Sequence, residues 1–554
     1  MYSKTQSAML FGLDANLISV EVQISKGIPN FIIIGLASKA IVEAKERVSS
    51  AMMACEFPIP PKRLLVNLSP ADLRKDGPQF DLAIAAGLMH SLGYINPNAG
   101  FMAESCFIAE LSITGKFKAV RGTLALISSA VEKGIKQIFT AAEALGELSV
   151  LSEDKEFTKG TKVYLLEDLQ NFKKLFDSLQ ASNVSNREES LKSELINSEY
   201  ELENLVIKEA AAEHLVSRSR KINNSNLAKE QGVYKDDENS KDSFLQRPLN
   251  VDFSDVIGQS LAKRAIEIAL AGKHHLLMIG PPGCGKSMLA KSILSLLDDL
   301  NFQQKLETLM LSDLAQLSVM ERKSHVPFRA PHSSSTAVSI IGGGVPIRPG
   351  EVSLAHNGIL FLDELAEFDR FTIDQLRTVL DNSKVFLNKG NQKIVFPADF
   401  LLIAASNPCP CGYLGDVKKI CTCSPAQIQR YQSKISGPIL DRIDLSVTLS
   451  RLSEAEMRVL SGDLQPRNNT VNNEDTDLVK QRIKQAKNFS EVYGANRVLG
   501  KASQDLLNAA VMRFDLSSRS HQKIISIART IANLDGSENI KEKHVAEALQ
   551  YRER

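Results

Sequence analysis

The sequence predicts an α/β protein with an α-helical domain at its C-terminal end. Apolar runs of strand length alternate with helical patterns up to residue 177 and again from residue 248. A glycine loop at 280–287 stands between a strand and a helix, and only helical spacing follows residue 466. Low apolar content between residues 178 and 247 predicts a flexible polar linker. We therefore expect domains at 1–177, 248–465 and 466–554.

Composition restricts the classes of protein that need consideration. The chain has 554 residues and a net charge of +1, so it carries no overall basic excess, although a local basic channel remains compatible with that value. Its apolar runs are shorter than the ~20 residues of a membrane span. Seven cysteines without a secretory signal pattern indicate a reducing compartment. We expect a cytoplasmic protein with no membrane partner.

Period-two and period-3.6 patterns place the elements of the first and last domains. In the first domain we expect strands at Ile18–Ile24, Phe31–Ile34, Arg63–Leu68, Phe107–Thr114 and Gln137–Thr140, and helices at Lys39–Cys55, Asp81–Leu92 and Ala125–Lys133. In the last we expect helices at Leu478–Tyr493, Ser503–Phe514, Ser520–Leu534 and Lys543–Tyr551.

The glycine loop fits the G-x-x-x-x-G-K-[ST] pattern of phosphate-binding loops. It consists of Gly280, Pro281, Pro282, Gly283, Cys284, Gly285, Lys286 and Ser287. Glycines in such a loop let backbone N–H groups cradle phosphate oxygens at a helix N-terminus. We expect the loop to bind ATP, with Lys286 reaching the β- and γ-phosphates and Ser287 holding Mg²⁺. A glycine turn that binds nothing is the alternative.

A second nucleotide signature is an apolar strand that ends in two carboxylates. Ile359–Leu362 is followed by Asp363 and Glu364, the Walker B arrangement. We expect Asp363 to hold Mg²⁺ and Glu364 to act as the general base on the attacking water. The short string is common in proteins, and its position after the glycine loop is what makes it informative. The alternative is a pair of acidic residues that cap a strand end.

Four of the seven cysteines form a C-x-C, nine residues, C-x-C pattern. They are Cys409, Cys411, Cys421 and Cys423. Four thiolates from two short loops can close a tetrahedral structural zinc site. Free buried cysteines or redox-active cysteines are the alternative.

A hairpin is expected at Val385–Phe396, because apolar residues alternate on both sides of a Lys-Gly-Asn turn. Lys384, Lys389 and Lys393 give it positive charge, which suits a DNA contact. Solvated surface lysines are the alternative.

Val66–Leu82 resembles the catalytic region of Lon-type proteases, on its Lys75-Asp76-Gly77-Pro78 run. In that family a nucleophilic serine follows directly, whereas Gln79 stands here. The family's lysine position falls on Leu124, after Arg121-Gly122-Thr123. An amide cannot form an acyl intermediate and a leucine cannot activate a nucleophile. The resemblance implies a Lon-like fold without the Ser-Lys dyad, with a structural or partner-binding role and no protease activity.

Phe253–Gln259 resembles the entry to an AAA+ ATPase module, and Arg348–Phe368 resembles the magnesium-chelatase-like AAA+ family, within it the ComM/YifB branch. That branch carries a Lon-like domain, an AAA+ core and a helical lid, in this order. The resemblance covers nearly the whole chain outside the linker.

This family resemblance also implies roles for three further residues. Asn407 corresponds to the sensor-1 residue that orients the attacking water. Arg442, in a Leu-Asp-Arg motif, corresponds to the arginine finger that reaches a neighbouring subunit's nucleotide. Arg519 corresponds to the sensor-2 arginine, which contacts the γ-phosphate within its own subunit. These roles imply a homo-oligomeric ring, expected to be a hexamer, whereas surface ion pairs are the alternative for both arginines.

The function implied by the resemblance is a DNA motor: a Mg²⁺-dependent branch-migration helicase that promotes DNA integration in natural transformation. A protein-remodelling AAA+ ATPase, a magnesium-chelatase-like ATPase subunit and a DNA-binding scaffold are the alternatives. A remodelling ATPase typically carries an aromatic pore loop, which the sequence does not display. The chelatase subunit lacks a fused Lon-like domain, and a scaffold does not need Asp363 and Glu364.

Overall fold

The computed structural model describes residues 1–158, 160–181, 199–201, 251–317, 326–389, 392–416, 418–435, 437–452, 456, 475–494 and 496–552. Apart from 178–181 and 199–201, the predicted linker lies outside these residues. The described residues form two compact units. The first unit is drawn from Met1–Glu238 and Asn301–Lys323, and the second from Asn239–Leu300 and Ser324–Arg554.

The described strands are numbered in chain order. They are β1 (Tyr2–Phe11), β2 (Asp14–Ser25), β3 (Asn30–Ile34), β4 (Arg63–Ser69), β5 (Ser105–Ile108), β6 (Glu110–Leu111), β7 (Phe117–Lys118), β8 (Gln137–Ala141), β9 (Lys162–Leu166), β10 (Glu199–Glu201), β11 (Leu276–Ile279), β12 (Phe328–Arg329), β13 (Gly342–Gly343), β14 (Arg348–Pro349), β15 (Ile359–Leu362), β16 (Lys384–Lys389), β17 (Gln392–Pro397), β18 (Leu401–Ser406) and β19 (Leu445–Thr448).

The described α-helices are numbered in the same way. They are α1 (Lys39–Ala54), α2 (Asp81–Leu92), α3 (Ala99–Glu104), α4 (Thr123–Glu132), α5 (Leu145–Leu148), α6 (Lys155–Thr158), α7 (Leu169–Ala181), α8 (Ser260–Gly272), α9 (Lys286–Ser292), α10 (Phe302–Leu314), α11 (Ala337–Ile341), α12 (Glu351–Leu354), α13 (Arg370–Asn382), α14 (Pro425–Gln432), α15 (Gly437–Leu440), α16 (Thr476–Tyr493), α17 (Lys501–Phe514), α18 (Ser518–Leu534) and α19 (Glu542–Gln550).

The first unit is built on a mixed eight-stranded sheet in the order β10-β9-β8-β5-β1-β2-β4-β3. The long strands β1 and β2 pair antiparallel at its centre, and β1 pairs parallel with β5. Alternation along β2 buries Ile18, Val20, Val22 and Ile24, because one side of the strand contributes to a hydrophobic core. Helix α2 is buried on nearly all sides and ends at Gly93, whose positive φ of 81° closes the last turn.

One helix of the first unit comes from far along the chain. Helix α10 lies between the glycine loop and the Walker B strand in sequence, yet it packs against α4 of the first unit. Leu306 and Met310 join Leu124 and Ile127 in one hydrophobic cluster. The sequence-based boundaries place α10 in the ATPase core, whereas its described residues cluster with the first unit.

The second unit contains a five-stranded parallel sheet in the order β12-β15-β18-β11-β19. The strand before the glycine loop, β11, lies between β18 and β19, and the Walker B strand β15 lies on the other side of β18. The carboxyl ends of parallel strands meet at one edge of a sheet, where α/β proteins bind ligands. Three predicted motif segments therefore converge at this edge.

The helical C-terminal segment belongs to the same compact unit as the sheet. Helices α16 and α18 share a hydrophobic core with α8 and the central strands, through residues that include Ile483, Ile527 and Ile531. Helix α18 begins at an N-cap serine, Ser517, whose side chain accepts a hydrogen bond from the Ser520 N–H. The four predicted helices are present, each within two residues of its expected start.

Several predicted elements differ from the structure. The predicted strand Phe107–Thr114 is divided, because β5 ends at Ile108 and the short β6–β7 hairpin follows. The longer elements that the sequence did not predict include β1, β9, α7, α10 and α13. No helix among the described residues has both the length and the apolar composition that crossing a membrane requires.

Candidate functional site

The glycine loop joins β11 to α9 through backbone that favours glycine. Gly283 and Gly285 have φ values of 78° and 93°, in the left-handed region. Gly285 is the N-cap of α9, so Lys286 and Ser287 open the helix. Backbone N–H groups at a helix start attract phosphate oxygens. The loop therefore has the local structure that its sequence pattern predicts.

Lys286 is held over the loop by three acceptors. Its Nζ donates to the carbonyl oxygens of Gly280 at 2.6 Å and Pro281 at 3.1 Å, and to Asn407 Oδ1 at 3.1 Å. Burial lowers the pKa of Lys286, while nearby Asp363 and Glu364 oppose that shift. The ammonium group is thus oriented by atoms from both the glycine loop and the end of β18.

The two predicted magnesium ligands are in direct contact. Ser287 Oγ donates to Asp363 Oδ2 at 2.6 Å, and the other oxygen of Asp363 accepts the Glu364 N–H at 2.9 Å. A hydroxyl and a carboxylate are the hard oxygen ligands that Mg²⁺ prefers. The donor set therefore fits Mg²⁺, with Ser287 and Asp363 as the residues that would hold it.

Glu364 has a left-handed backbone, with φ of 53°. Such a conformation is uncommon for a residue with a side chain, and it is found often at functional sites. The strand β15 ends two residues earlier, at Leu362, and a 3₁₀ turn starts at Leu365. This sharp turn fixes the point on the backbone from which the Glu364 side chain projects.

The four cysteines are brought together beyond β18, next to Asn407. Their sulfur atoms all lie within 4.8 Å of one another. Cys409 Sγ lies 3.4 Å from Cys411 Sγ and 3.7 Å from Cys421 Sγ, and Cys411 Sγ lies 3.5 Å from Cys421 Sγ. Sulfurs about 3.8 Å apart are expected for tetrahedral ligation with Zn–S bonds of about 2.3 Å. The cluster could therefore hold a metal ion.

This loop, which we call the cysteine knuckle (residues 409–423), packs on the phosphate-binding loop. Gly412 approaches so closely that a Cβ there would lie 2.7 Å from Cδ of Pro282 and 3.9 Å from Cγ of Asn407. Asp416 Oδ2 accepts a hydrogen bond from Arg451 Nε at 2.6 Å. The knuckle thus supports two sides of the site, at Pro282 and at the chain that follows β19.

The two candidate arginines meet at a residue that sequence reasoning missed. Arg442 donates from Nε to Asp381 Oδ1 at 2.8 Å and from Nη2 to Asp381 Oδ2 at 2.7 Å. Arg519 Nη2 lies 3.6 Å from Asp381 Oδ1. Hydrogen bonding to Arg442 lowers the pKa of Asp381. One carboxylate on α13 therefore gathers both arginines, and no motif in the sequence marked it.

The hairpin is formed by β16 and β17, and residues 390–391 of the predicted Lys-Gly-Asn turn lie outside the described residues. Val385 and Phe396 are buried, whereas Lys384 and Lys393 are exposed. Lys393 Nζ lies 4.3 Å from the centroid of the Phe386 ring, and 42% of Phe386 is exposed. The hairpin therefore displays an aromatic residue that the sequence reasoning did not single out.

The Lon-like region of the first unit carries no nucleophile at its two diagnostic positions. Gln79 is nearly buried, and its side-chain amide donates to the Asp76 carbonyl at 2.8 Å. Leu124 is buried, and its N–H donates to Asp313 Oδ2 of α10 at 3.2 Å. The start of α4, where Lon-type proteases carry their lysine, therefore holds a hydrogen bond to α10.

Comparison with known families defines the class of protein. The family model for magnesium chelatase, subunit ChlI, matches residues 252–457. The model for subunit ChlI of Mg-chelatase matches residues 20–144, and that for the C-terminal part of ChlI matches residues 476–552. With the phosphate-binding loop on a parallel sheet, these matches define a magnesium-chelatase-like AAA+ ATPase.

Comparison with individual proteins identifies the family more narrowly. The competence protein ComM of Haemophilus influenzae is 34% identical over 548 residues, covering 98% of this chain and 95% of that protein. YifB of Escherichia coli is 34% identical over 556 residues, with the same coverage of 98% and 95%. Lon protease 2 of Bacillus subtilis is 29% identical over 183 residues, covering 28% of this chain and 33% of that protein. The chain therefore belongs to the ComM/YifB family.

Proposed function

We propose that this chain is the subunit of an ATP-driven ring that acts on DNA and moves branched junctions. Such a motor would promote integration of incoming DNA in natural transformation, in keeping with the competence role in the name of ComM. The observation that carries the proposal is the convergence of four predicted site residues through two hydrogen bonds. Lys286 Nζ donates to Asn407 Oδ1 at 3.1 Å, and Ser287 Oγ donates to Asp363 Oδ2 at 2.6 Å.

Each of these residues has a chemical task in ATP hydrolysis. Lys286 and the loop N–H groups bind the phosphates, while Asn407 and Glu364 orient and deprotonate the attacking water. Mg²⁺, held by Ser287 and Asp363, would neutralise charge on the phosphate oxygens.

The arginine pair supports a site completed by a neighbouring subunit. An arginine supplied from another protomer stabilises charge on the transferred phosphoryl group. Because Arg519 shares Asp381 with Arg442, the two arginines serve the same nucleotide in this proposal. Arg519 then acts on the neighbouring subunit's nucleotide, in place of the contact within its own subunit that the family resemblance implies. A closed homo-oligomeric ring, with six subunits proposed, satisfies this geometry.

The hairpin supports a DNA substrate. Exposed Lys384 and Lys393 can neutralise phosphates, and exposed Phe386 can stack on a base. Positive charge beside an exposed aromatic ring is the composition of surfaces that follow single strands.

The cysteine knuckle supports a bound zinc ion with a structural role. Four thiolates close the coordination shell and leave no position for a substrate. We propose no protease activity for the Lon-like region, since Gln79 and Leu124 offer neither nucleophile nor base.

Steady-state ATP hydrolysis with and without branched DNA tests the proposal, with Lys286→Ala as the blank. We expect four-way or forked DNA to stimulate turnover in the wild type and to have no effect in the blank. Turnover that is indifferent to every form of DNA would retain the ATPase and reject the DNA substrate. The absence of hydrolysis in the wild type would reject the ATPase itself.

A further inference from the structure

Asp381 stands in the last turn of α13, the helix that follows the Walker B strand. The helix is anchored by buried Ile373, Leu376 and Val379. The carboxylate of Asp381 contacts Arg442, from the loop after α15, and Arg519, from α18. These two segments are far apart in the chain. A rigid helix therefore fixes the position of a group that contacts both arginines.

The hydrogen bonds of Arg442 leave part of its guanidinium available. Nε and Nη2 bind the two oxygens of Asp381, at 2.8 and 2.7 Å, and Nη1 donates to the Pro438 carbonyl at 3.1 Å. A guanidinium has five N–H bonds in a planar fork. Within the part of the chain that the structure describes, these contacts use three of them, so each terminal nitrogen keeps one N–H bond. Two parallel N–H bonds are the donors that bind a phosphate in bidentate fashion.

The charges around Asp381 favour an anion. Arg442, Arg519 and Arg377 all act on the Asp381 carboxylate electrostatically. Asp441 also acts on Arg442 electrostatically, so three arginines stand with two carboxylates and the cluster keeps an excess of one positive charge. Without Asp381, Arg442 and Arg519 would repel each other and their shared geometry would be lost.

A cavity of about 520 Å³ lies beside this cluster. It is lined by Arg370, Asp374, Arg377, Thr378, Asp381, Asn382 and Pro438. Arg370 and Arg377 face this cavity together with Asp374, so the concave surface offers guanidinium donors for an anionic group beside a second carboxylate.

We propose that Asp381 is the positioning residue for ATP hydrolysis that fixes Arg442 and Arg519 as a pair at the nucleotide of the neighbouring subunit. The inference rests on the proposed ATPase ring and adds to it the residue that sets the geometry of its arginines. Asp381 itself need not touch the nucleotide. Its removal should lower the turnover number and leave nucleotide affinity intact, because the phosphate-binding loop lies in the other subunit of the interface.

Asp381→Ala tests this role, with Asp505→Ala as the matched control on the exposed face of α17. A misplacement of about 1 Å can lower a rate by about 10²-fold, so we expect a fall in kcat of about 10- to 100-fold. The Kd of a fluorescent ATP analogue and ring assembly in size-exclusion chromatography should match the control. Asp381→Asn, of nearly the same shape, replaces the alanine variant if that variant fails to assemble.

Rings mixed from two inactive variants distinguish the positioning role from a merely structural one, because a merely structural role predicts no recovery of activity on mixing. Asp381→Ala keeps the phosphate-binding side of the interface, whereas Glu364→Gln keeps the arginine side. When equal amounts of the two inactive subunits are mixed before ATP is added, about a quarter of the head-to-tail interfaces should be competent. Activity should therefore return to about a quarter of the wild-type rate if interfaces act independently.

The outcomes separate the inference from the proposed function. Full activity of Asp381→Ala, a loss of nucleotide affinity, or no gain on mixing would each overturn the positioning role while the wild type still hydrolyses ATP. An inactive wild type would instead reject the ATPase ring, and the positioning role with it.

Discussion

Lys286 Nζ donates a hydrogen bond to Asn407 Oδ1 at 3.1 Å, which joins the phosphate-binding loop to the end of the adjacent strand. Both groups lie beyond the carboxyl ends of two paired parallel strands: Lys286 opens α9 after β11, and Asn407 follows β18 directly. Because Asn407 Oδ1 accepts this bond directly, we expect Asn407 to respond to the phosphate that Lys286 binds.

Replacing Asn407 with alanine should impair hydrolysis more than binding. Lys286 keeps its bonds to Gly280 and Pro281, so the affinity for nucleotide should change little. Loss of one preorganised polar group at a reacting centre typically costs about 10²-fold in kcat. Steady-state turnover and analogue binding would measure both effects, with exposed Asn508→Ala as the control. Equal losses in kcat and affinity would argue against a sensing role.

Glu364→Gln should retain ATP binding, abolish turnover and hold the ring in its assembled form. The amide keeps the shape of the side chain but cannot accept the proton of the attacking water, and general bases contribute about 10²- to 10⁴-fold. Rapid-quench measurement of a single turnover, alongside size-exclusion chromatography, would check this. Unchanged turnover would remove Glu364 from the mechanism.

Removing a cysteine from the knuckle should release the metal and weaken nucleotide binding. Gly412 packs on Pro282, so disorder in the knuckle reaches the phosphate-binding loop directly. For Cys421→Ser we expect a loss of bound zinc in elemental analysis, and a chelator should produce the same loss of nucleotide affinity in the wild type. Cys55→Ser, in the first unit, is the control and should keep the metal. A wild type that contains no zinc when purified from zinc-supplemented cells would contradict the metal site.

Asp313→Ala should destabilise the first unit. Asp313 is buried and accepts the Leu124 N–H at the start of α4, where a negative charge also complements the helix dipole. Losing a hydrogen bond to a charged group costs about 1.5 to 3 kcal/mol. Hydrogen exchange should report faster opening of the α4 amides. The control is Gln303→Ala, on the exposed side of α10, the helix that also carries Asp313, and it should leave the α4 exchange rates unchanged. Equal exchange rates in the two variants would show that Asp313 contributes nothing.

Substituting both Lys384 and Lys393 with alanine should reduce DNA stimulation and spare basal turnover. Each lysine that neutralises a phosphate of a single strand adds about 0.7 to the salt dependence of binding, so the slope of log affinity against log salt should become shallower by about 1.4. Fluorescence anisotropy with single-stranded DNA would measure it, with exposed Lys501→Ala as the control. Undiminished stimulation would place the DNA contact elsewhere.

Local sequence patterns predicted the parts of the site that depend on neighbours in the chain. The glycine loop with β11, the Walker B strand and the paired cysteines each carry their signal within a few residues. Asp381 carries no such signal, because its role depends on Arg442 and Arg519, which are 61 and 138 positions away in the sequence. Tertiary contacts of that kind cannot be obtained from periodicity.

The first unit shows the same limit. The alternation of β2 predicted its strand, whereas β1 was missed because polar Ser3, Thr5 and Ser7 occupy its buried side. Their positions would ordinarily indicate a solvent-facing side. Helix α10 was missed altogether, and even a recognised helical pattern indicates only an apolar side and not what will cover it.

Helix α10 has a consequence for the order in which the protein is made. A ribosome completes β1 to β10 and the glycine loop before it reaches Phe302, so the nascent first unit lacks one of its helices until then. Leu306 and Met310 must arrive before the cluster around Leu124 and Ile127 is complete. Translation therefore cannot supply the whole first unit before it has begun the second.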